Sequence, residues 1–367
     1  MPVKIAIIGS RGIPNEYGGF EQLAEYLSVG LVAKGHQVAV YNSHHHSFKE
    51  STFNGVEIIR CYDPEKYIGT AGQFIYDLNC ILDARKRNFD VLLFLGYTSS
   101  SIWGCIYPKR PVILSNMDGL EWKRLKYAHL VRWYLKYAEK LAVKYSKFLI
   151  ADSPAIQSYI KKMYGVESQY IAYGASICEK VNDKVLEQYQ VSANNYYMLI
   201  ARMEPENNIE LILNGFHNSH TNNKFLVIGN MDNHFGRYIY KKFSTDQRIL
   251  FFGAIYDEQI THTLKASCLL YFHGHSVGGT NPSLLEAMAS KVLIAAHEND
   301  FNRAVIGSDG YYFTTINDVQ ELVDHVKISS QEEKMISNNF EKIKNEYNWQ
   351  NIIDQYERFI LACFNQQ

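Results

Sequence analysis

Residues 273–288 read His-Gly-His-Ser-Val-Gly-Gly-Thr-Asn-Pro-Ser-Leu-Leu-Glu-Ala-Met, directly after the apolar run Ser-Cys-Leu-Leu-Tyr-Phe at 267–272. That order predicts a strand, a glycine loop and a helix. Pro282 suits the first helical turn, where a missing N–H costs nothing, and the N–H groups of residues 280–284 are left pointing outward. Gly278 and Gly279 let a ligand approach the backbone closely, and the helix dipole favours an anion there. Glu286, one turn into the helix, has the reach to accept hydrogen bonds from sugar hydroxyls. The expected chemistry is binding of a phosphorylated polyol, with Gly279, Thr280, Asn281, Ser283 and Glu286 as contacts. Standing alone, the same glycines would equally serve a tight βα bend.

Other loops point the same way. The stretch Ala-Arg-Met-Glu-Pro-Glu-Asn-Asn at 201–208 puts Arg202 just past a strand end, where a guanidinium can clamp a phosphate with two prongs and stabilise it as a leaving group. A surface Arg202 paired with Glu204 or Glu206 is the plain alternative. The run Ser-Asn-Met-Asp-Gly-Leu-Glu-Trp-Lys-Arg at 115–124 brings Asp118 and Glu121 after a first-half strand, with Lys123 and Arg124 behind them. Asp118 is placed to position an acceptor hydroxyl or take its proton, although Asp-Gly is also a turn signal. After the first strand, Gly-Ser-Arg-Gly-Ile-Pro-Asn-Glu-Tyr-Gly-Gly-Phe-Glu at 9–21 departs from the dinucleotide fingerprint. Arg11 stands where its second glycine belongs, and Tyr41-Asn42 where its acid belongs. A nicotinamide enzyme is therefore disfavoured, and Gly18-Gly19 at a helix start remains able to approach a diphosphate.

These loops need strands to present them. Strand-like runs at 3–8, 37–41, 91–95, 111–114 and 148–151 alternate with helical runs at 19–33, 71–86, 127–145 and 154–163, which predicts a parallel sheet covered on both faces. The pattern pauses over polar residues 173–195 and restarts at 196–201, with further strands near 225–228, 249–252, 268–272 and 292–295. The expectation is two doubly wound Rossmann-like α/β domains, 1–180 and 195–348, facing across one cleft, with the last helix, about 349–367, packing back on the first. Ligands of such sheets bind beyond the carboxyl ends of the strands, so the loops after residues 8, 200 and 272 would line that cleft.

Composition narrows the class. At 367 residues the chain exceeds one ordinary core, and a net charge of −1 argues against nucleic acid as a partner. Six cysteines without a Cys-x-x-Cys pair suggest reduced core residues of a cytoplasmic protein, and no run approaches the ~20 apolar residues of a membrane span. Most of the 27 Tyr and 19 Phe are expected in the core. The tract His44-His45-His46 lacks a metal-ligand pattern and reads as a solvated loop. Over 122–147, Arg132, Lys136, Lys140 and Lys144 recur every four residues among Trp133, Tyr134 and Tyr137. This basic ridge suits an anionic membrane or a polyprenyl diphosphate, or is an ordinary solvated helix face.

Taken together, Gly12-Ile-Pro-x-x-Tyr-Gly-Gly-Phe-Glu, Asn116-Met-Asp-Gly-Leu-Glu-Trp-Lys-Arg, the Arg202 stretch and the 273–287 stretch resemble the retaining type-4 glycosyltransferases of GT-B fold. The first half resembles the rhamnosyltransferase-like N-terminal domain of bacterial polysaccharide synthesis enzymes. The resemblance implies a nucleotide-sugar donor, dTDP- or UDP-linked, no further cofactor or metal, and a lipid-diphosphate-linked saccharide acceptor. By position it puts Arg202 on the donor diphosphate, Gly18 and Gly19 near it, Glu286 on the ribose, and residues 253–256, with Tyr256, at the base. Glu121, Lys123 and Arg124 fall on the acceptor side. Two departures stand out: Gly278 occupies the place of the family's first glutamate, so backbone at 279–281 must substitute, and Asn207 occupies the place of its lysine. Both suit the rhamnosyl branch and lead to L-rhamnose from dTDP-rhamnose as the expected donor, with the enzyme at the inner face of the plasma membrane. A UDP-hexose transferase is the alternative, and a GT-B-shaped sugar-nucleotide epimerase a more distant one.

Overall fold

The computed structural model describes residues 1–16, 18–117, 119–124, 126–177 and 181–366. Two compact units emerge. Unit 1 comprises Met1–Trp122, Ala128–Tyr173 and Trp349–Gln367; unit 2 comprises Lys123–Tyr127 and Gly174–Asn348.

Unit 1 holds strands β1 (Lys4–Ile8), β2 (Gln37–Ser43), β3 (Thr52–Phe53), β4 (Val56–Cys61), β5 (Val91–Leu95), β6 (Val112–Asn116), β7 (Phe148–Ala151) and β8 (Gln169–Tyr170). They form one sheet in the order β3-β4-β2-β1-β5-β6-β7-β8, parallel except where β3 meets β4. β5 and β6 are buried along their whole length, as expected of a sheet covered on both faces. The sequence pattern misses β4, because Val-Glu-Ile-Ile-Arg-Cys is short and interrupted by charge, and the edge strands β3 and β8, which have two residues each. The C-terminal helix Trp349–Asn365 lies on the helix Gly19–Ala33. Trp349 stacks on Tyr26 at 4.4 Å, Gly30 leaves room for Ile353, and Lys34 pairs with Asp354 at 2.6 Å.

Unit 2 holds β9 (Tyr196–Ile200), β10 (Lys224–Ile228), β11 (Ile249–Phe252), β12 (Leu270–His273), β13 (Ile294–His297) and β14 (Tyr311–Phe313), all parallel, in the order β11-β10-β9-β12-β13-β14. The polar stretch read as a junction carries a helix, Asp183–Gln188, started by the Asn182 side chain. Most of the largest fully buried side chains are aromatic, among them Tyr41, Tyr97, Tyr196, Tyr197 and Tyr271. Burial of such rings is offset by hydrogen bonds from their hydroxyls: Tyr197 donates to the Val323 carbonyl at 2.8 Å, Tyr196 to the Leu264 carbonyl at 2.5 Å and Tyr41 to Asp83 at 2.9 Å.

Strand order reverses direction between β1 and β5 in unit 1, and between β9 and β12 in unit 2. Those switch points open the crevices where such sheets bind ligands. The loops after β1, β9 and β12 therefore stand where chemistry is expected.

Candidate functional site

In unit 2, β9 and β12 are neighbours, and their outgoing loops are knitted together. The Asn208 amide donates to the Gly274 carbonyl at 2.8 Å, and the Ser276 N–H and hydroxyl both donate to the Glu206 carbonyl, at 3.1 and 2.8 Å. A Cβ on Gly274 would overlap the Asn207 carbonyl, so only glycine permits this approach. Asn207 is buried and its amide donates to the Arg202 carbonyl at 2.7 Å. It shapes the backbone that carries Arg202. The Arg202 side chain itself is exposed.

The loop after β12 ends at the helix Pro282–Ala289. Asn281 caps it, its Oδ1 accepting from the Ser283 N–H at 3.0 Å and from the Ser283 hydroxyl at 2.9 Å. The side chains of both expected contacts are thus engaged with one another, and what they offer a ligand is a fixed helix start. Thr280 is buried. Gly278 has φ +143° and nothing within 4 Å of where its Cβ would stand, so the backbone is open there. Glu286 accepts from Lys265 Nζ at 2.6 Å, with the lysine side chain 3% exposed and the carboxylate 37%. Lys265 escapes a reading of the sequence by motif. Its signal is a cation among the buried residues of the helix Glu258–Ser267, next to Leu264. Tyr256 follows β11 and is highly exposed, as a platform for a flat base would be.

Three histidines shape the electrostatics here. His273 is buried, neither ring nitrogen has a hydrogen-bond partner, and its ring stacks on His275 at 4.5 Å. Burial, helped by His297, pulls the His273 pKa down to about 3. His275 is held well below its ordinary range by burial first, then by His273, Arg202 and Arg124.

That last pair was not expected. Arg124, read as an acceptor-side residue, belongs to the 123–127 segment of unit 2 and stands 3.6 Å from Glu206, while Lys126 stands 3.4 Å from Glu204. Lys123 is exposed and Glu121 opens the short turn Glu121–Lys123. Asp118 lies outside the described residues.

Unit 1 presents a different loop. Gly9 (φ +100°) and Gly12 (φ +129°) are demanded by packing, since a Cβ would overlap the Leu95 carbonyl at Gly9 and the Asn42 side chain at Gly12. Asn42, at the position where a dinucleotide site needs an acid, grips Ile13 at both ends, accepting at 3.1 Å and donating at 2.8 Å. The Arg11 guanidinium closes on Glu65 with bonds of 3.0 and 2.7 Å. Gly18 caps the helix Gly19–Ala33 in extended backbone, and a Cβ there would meet Glu21 Oε2 in ordinary contact at 3.5 Å. Buried Glu21 accepts from the Arg11 N–H at 2.8 Å, so a carboxylate stands beside the Gly18-Gly19 start.

Two further readings are corrected. The histidine tract is structural, not a solvated loop: His44 Nδ1 accepts from the Asp63 N–H at 2.9 Å, and buried His46 Nε2 bonds the Pro14 carbonyl at 3.0 Å. The basic ridge is only half a ridge. Arg132 donates to the Trp122 carbonyl at 2.7 Å, and Lys136 pairs with buried Glu139 at 2.8 Å over the Trp122 and Tyr159 rings. Lys140 and Lys144 remain exposed on the helix His129–Tyr145.

Residues 3–176 match the family described as domain of unknown function DUF1972, and residues 184–346 match glycosyl transferases group 1. No curated protein matches the chain. Among solved structures, a sucrose-phosphate synthase from Thermosynechococcus elongatus is 14% identical over 100% of both chains, with a TM-score of 0.81. Anabaena HepE, in complex with UDP and glucose, is 14% identical over 98% of this chain and 100% of its own, with a TM-score of 0.72. WaaG, a glycosyltransferase involved in lipopolysaccharide biosynthesis, is 13% identical over 98% and 99%, with a TM-score of 0.70. At such identities the shared property is the fold, two Rossmann-like α/β units of the GT-B kind.

Proposed function

We propose that this chain, a glycosyltransferase of GT-B fold whose second unit is of the group 1 kind, moves an L-rhamnosyl group from dTDP-rhamnose to a lipid-diphosphate-linked saccharide, with retained anomeric configuration. The observation that carries the reading is the pairing of exposed Arg202, just past β9, with the open glycine backbone and helix start after the neighbouring β12. A cation and the positive end of a helix stand on neighbouring loops there, as the leaving diphosphate of a sugar nucleotide requires. The acceptor oxygen would bond to the anomeric carbon as the carbon–phosphate oxygen bond breaks, and the acceptor proton would pass to a diphosphate oxygen. Arg202 and the helix dipole would stabilise the charge on the departing diphosphate, so this route asks for no metal. Open space at Gly278, where a carboxylate would grip a polar sugar, suits a donor lacking the 6-hydroxyl.

The helix His129–Tyr145 supports a membrane-linked acceptor. Leu130, Trp133 and Tyr137 are 78%, 68% and 47% exposed, and with Lys140 and Lys144 they recur at helical spacing along one face. Exposed aromatics followed by lysines suit the headgroup layer of an anionic bilayer. No helix among the described residues is long and apolar enough to cross a membrane. Wild-type chain should sediment with anionic vesicles and the Trp133→Ser variant much less; equal sedimentation would remove this part of the reading.

A thermal-shift panel of nucleotide sugars tests the donor, because a ligand that binds only the folded chain raises its midpoint. Shifts selective for dTDP and dTDP-rhamnose are expected. HepE, solved with UDP-glucose, favours a UDP-hexose as the second reading, and shifts selective for UDP-sugars would transfer the proposal to it. Absence of any nucleotide shift would sink the donor site.

A further inference from the structure

Asp77 is a buried acid of unit 1 that the donor chemistry leaves unused. It lies on the helix Gly72–Ala84, 3% exposed, and among the described residues its carboxyl has one hydrogen-bond partner, the Ser99 hydroxyl, which donates to Oδ2 at 2.6 Å. The titratable groups that bear on it are Asp63, Tyr76, Cys80, Tyr107 and Tyr134, and none is a cation. Burial raises its pKa to about 7, against the lowering effect of the Ser99 bond. Asparagine would tie helix to loop with the same bond and without the desolvation penalty of a carboxylate. The loop is also held without it, since Tyr134 donates to the Thr98 carbonyl at 2.7 Å and Tyr107 to the Ser100 carbonyl at 3.2 Å.

The place of the pair matters as much as its charge. Ser99 follows β5, and β1 and β5 flank the switch point of the sheet. Tyr76, next to Asp77 in the chain, donates to the Ser10 carbonyl at 3.3 Å and to the Tyr41 carbonyl at 2.8 Å, which anchors this turn of the helix to the loop after β1 and to β2. The buried hydroxyls of Ser10, after β1, and Ser101, after β5, have no hydrogen-bond partner. Ser99 itself is half-buried, so a ligand meets the pair through its oxygen. With its hydrogen directed to ionised Asp77, that oxygen presents lone pairs and accepts from a hydroxyl. Once Asp77 is protonated, the bias is lost.

We propose that Ser99, held by Asp77, binds a hydroxyl of the saccharide acceptor at the switch point of unit 1. The inference rests on the reading of this chain as a glycosyltransferase with such an acceptor. Ser99 touches the sugar; Asp77 is a positioning residue that acts through Ser99, and binding weakens as pH drops through about 7.

Saturation-transfer NMR of the full chain with the methyl glycosides of glucose, galactose, rhamnose and N-acetylglucosamine tests it, at about one pH unit above and about one below the Asp77 pKa. Wild type should bind at least one glycoside, roughly tenfold more weakly at the lower pH, because the ionised fraction falls from about nine-tenths to about one-tenth. Asp77→Asn, which keeps the shape without titrating, should bind equally at both pH values. Ser99→Ala should lose roughly 3- to 10-fold at the higher pH, the scale of one hydrogen bond, and Ser99→Thr should restore most of it. Ligand-free unfolding midpoints should not fall in any variant. No glycoside binding by wild type overturns the proposal, and so does unaltered binding by Ser99→Ala. A pH dependence that survives Asp77→Asn, as a merely structural Asp77 would leave it, overturns it too. The nucleotide shifts of the donor panel should be the same in every variant. A wild type that binds glycosides and shifts with no nucleotide would sink the donor site and leave this one standing, so the two failures are distinct.

Discussion

The loop after β1 in unit 1 and the loop after β12 in unit 2 are both rich in glycine and both start a helix, yet they are built for different contents. In unit 1 the glycines at 9 and 12 make room for protein atoms, Asn42 and Glu65 close the loop from within, and Glu21 sets a carboxylate beside the helix start. In unit 2 Gly278 has empty space beside it, Arg202 and Arg124 both act on His275 in the same loop, and the helix start is capped by its own Asn281. Glycine content alone does not mark a phosphate site. What stands beside the glycine does: a carboxylate at a helix start suits hydroxyls, and guanidinium groups suit phosphate.

The largest effect is expected where that difference bears on chemistry. Arg202→Ala should lower turnover on the order of 10²- to 10³-fold, the scale of losing one preorganised charge stabiliser. Because the side chain is exposed, the unfolding midpoint should stay within about a degree or two. Turnover near wild type would mean that the diphosphate lies elsewhere.

The next effect runs the other way, on stability. Gly9→Ala meets a carbonyl and a backbone conformation that side chains rarely adopt, and should cost about 3 kcal/mol or more, roughly 6–12 °C in midpoint. All four tryptophans, Trp103, Trp122, Trp133 and Trp349, belong to unit 1, so their fluorescence should report the loss directly. Gly278→Ala faces the same backbone penalty without the overlap, and its main loss should be in nucleotide affinity. If the two variants are alike by both measurements, the contrast between the loops fails.

How much of this was legible in the sequence follows from the kind of signal. Alternating apolar runs mark β9, β12 and both glycine loops, because a buried parallel strand is written locally as a short apolar run, whereas the strand order that makes β9 and β12 neighbours is not written there. The helix Gly19–Ala33 matches its expected bounds for the same reason. Contacts made across the chain leave no such mark. Arg124 and Glu206 are far apart in sequence, Lys265 meets Glu286 from another helix, and Asn42 reads as a failed motif until Ile13 is seen in its grip. Half of the basic ridge turned inward because Glu139, one buried acid on the same helix, draws Lys136.

Acid should separate the units by a smaller margin. The His273 pKa is about 3 in the folded chain against 6.5 ordinarily, so between those values the unfolded chain binds the extra proton. Stability then falls as pH drops below 6.5 and keeps falling toward 3, by about 1.4 kcal/mol per unit, or roughly 2 kcal/mol at pH 5. The loss should register in circular dichroism before tryptophan fluorescence, since His273 is in unit 2, and His273→Asn should flatten the slope. A slope unchanged by that variant would assign the acid sensitivity to other groups.

The smallest expected effect is the most discriminating for unit 1. Gly18 adopts an extended backbone open to any residue, and an added Cβ meets Glu21 at an ordinary 3.5 Å, so Gly18→Ala should change stability by only a few tenths of a kcal/mol. If Gly18 approaches the donor diphosphate, the methyl group would stand in its path and nucleotide affinity should fall severalfold. If the Glu21 carboxylate keeps phosphate away and the helix start serves hydroxyls of the sugar or acceptor, dTDP and UDP should bind as before while the KM for acceptor rises. The charge beside Gly18 favours the second result, because a buried carboxylate within van der Waals reach of that position repels the group the glycines would otherwise welcome.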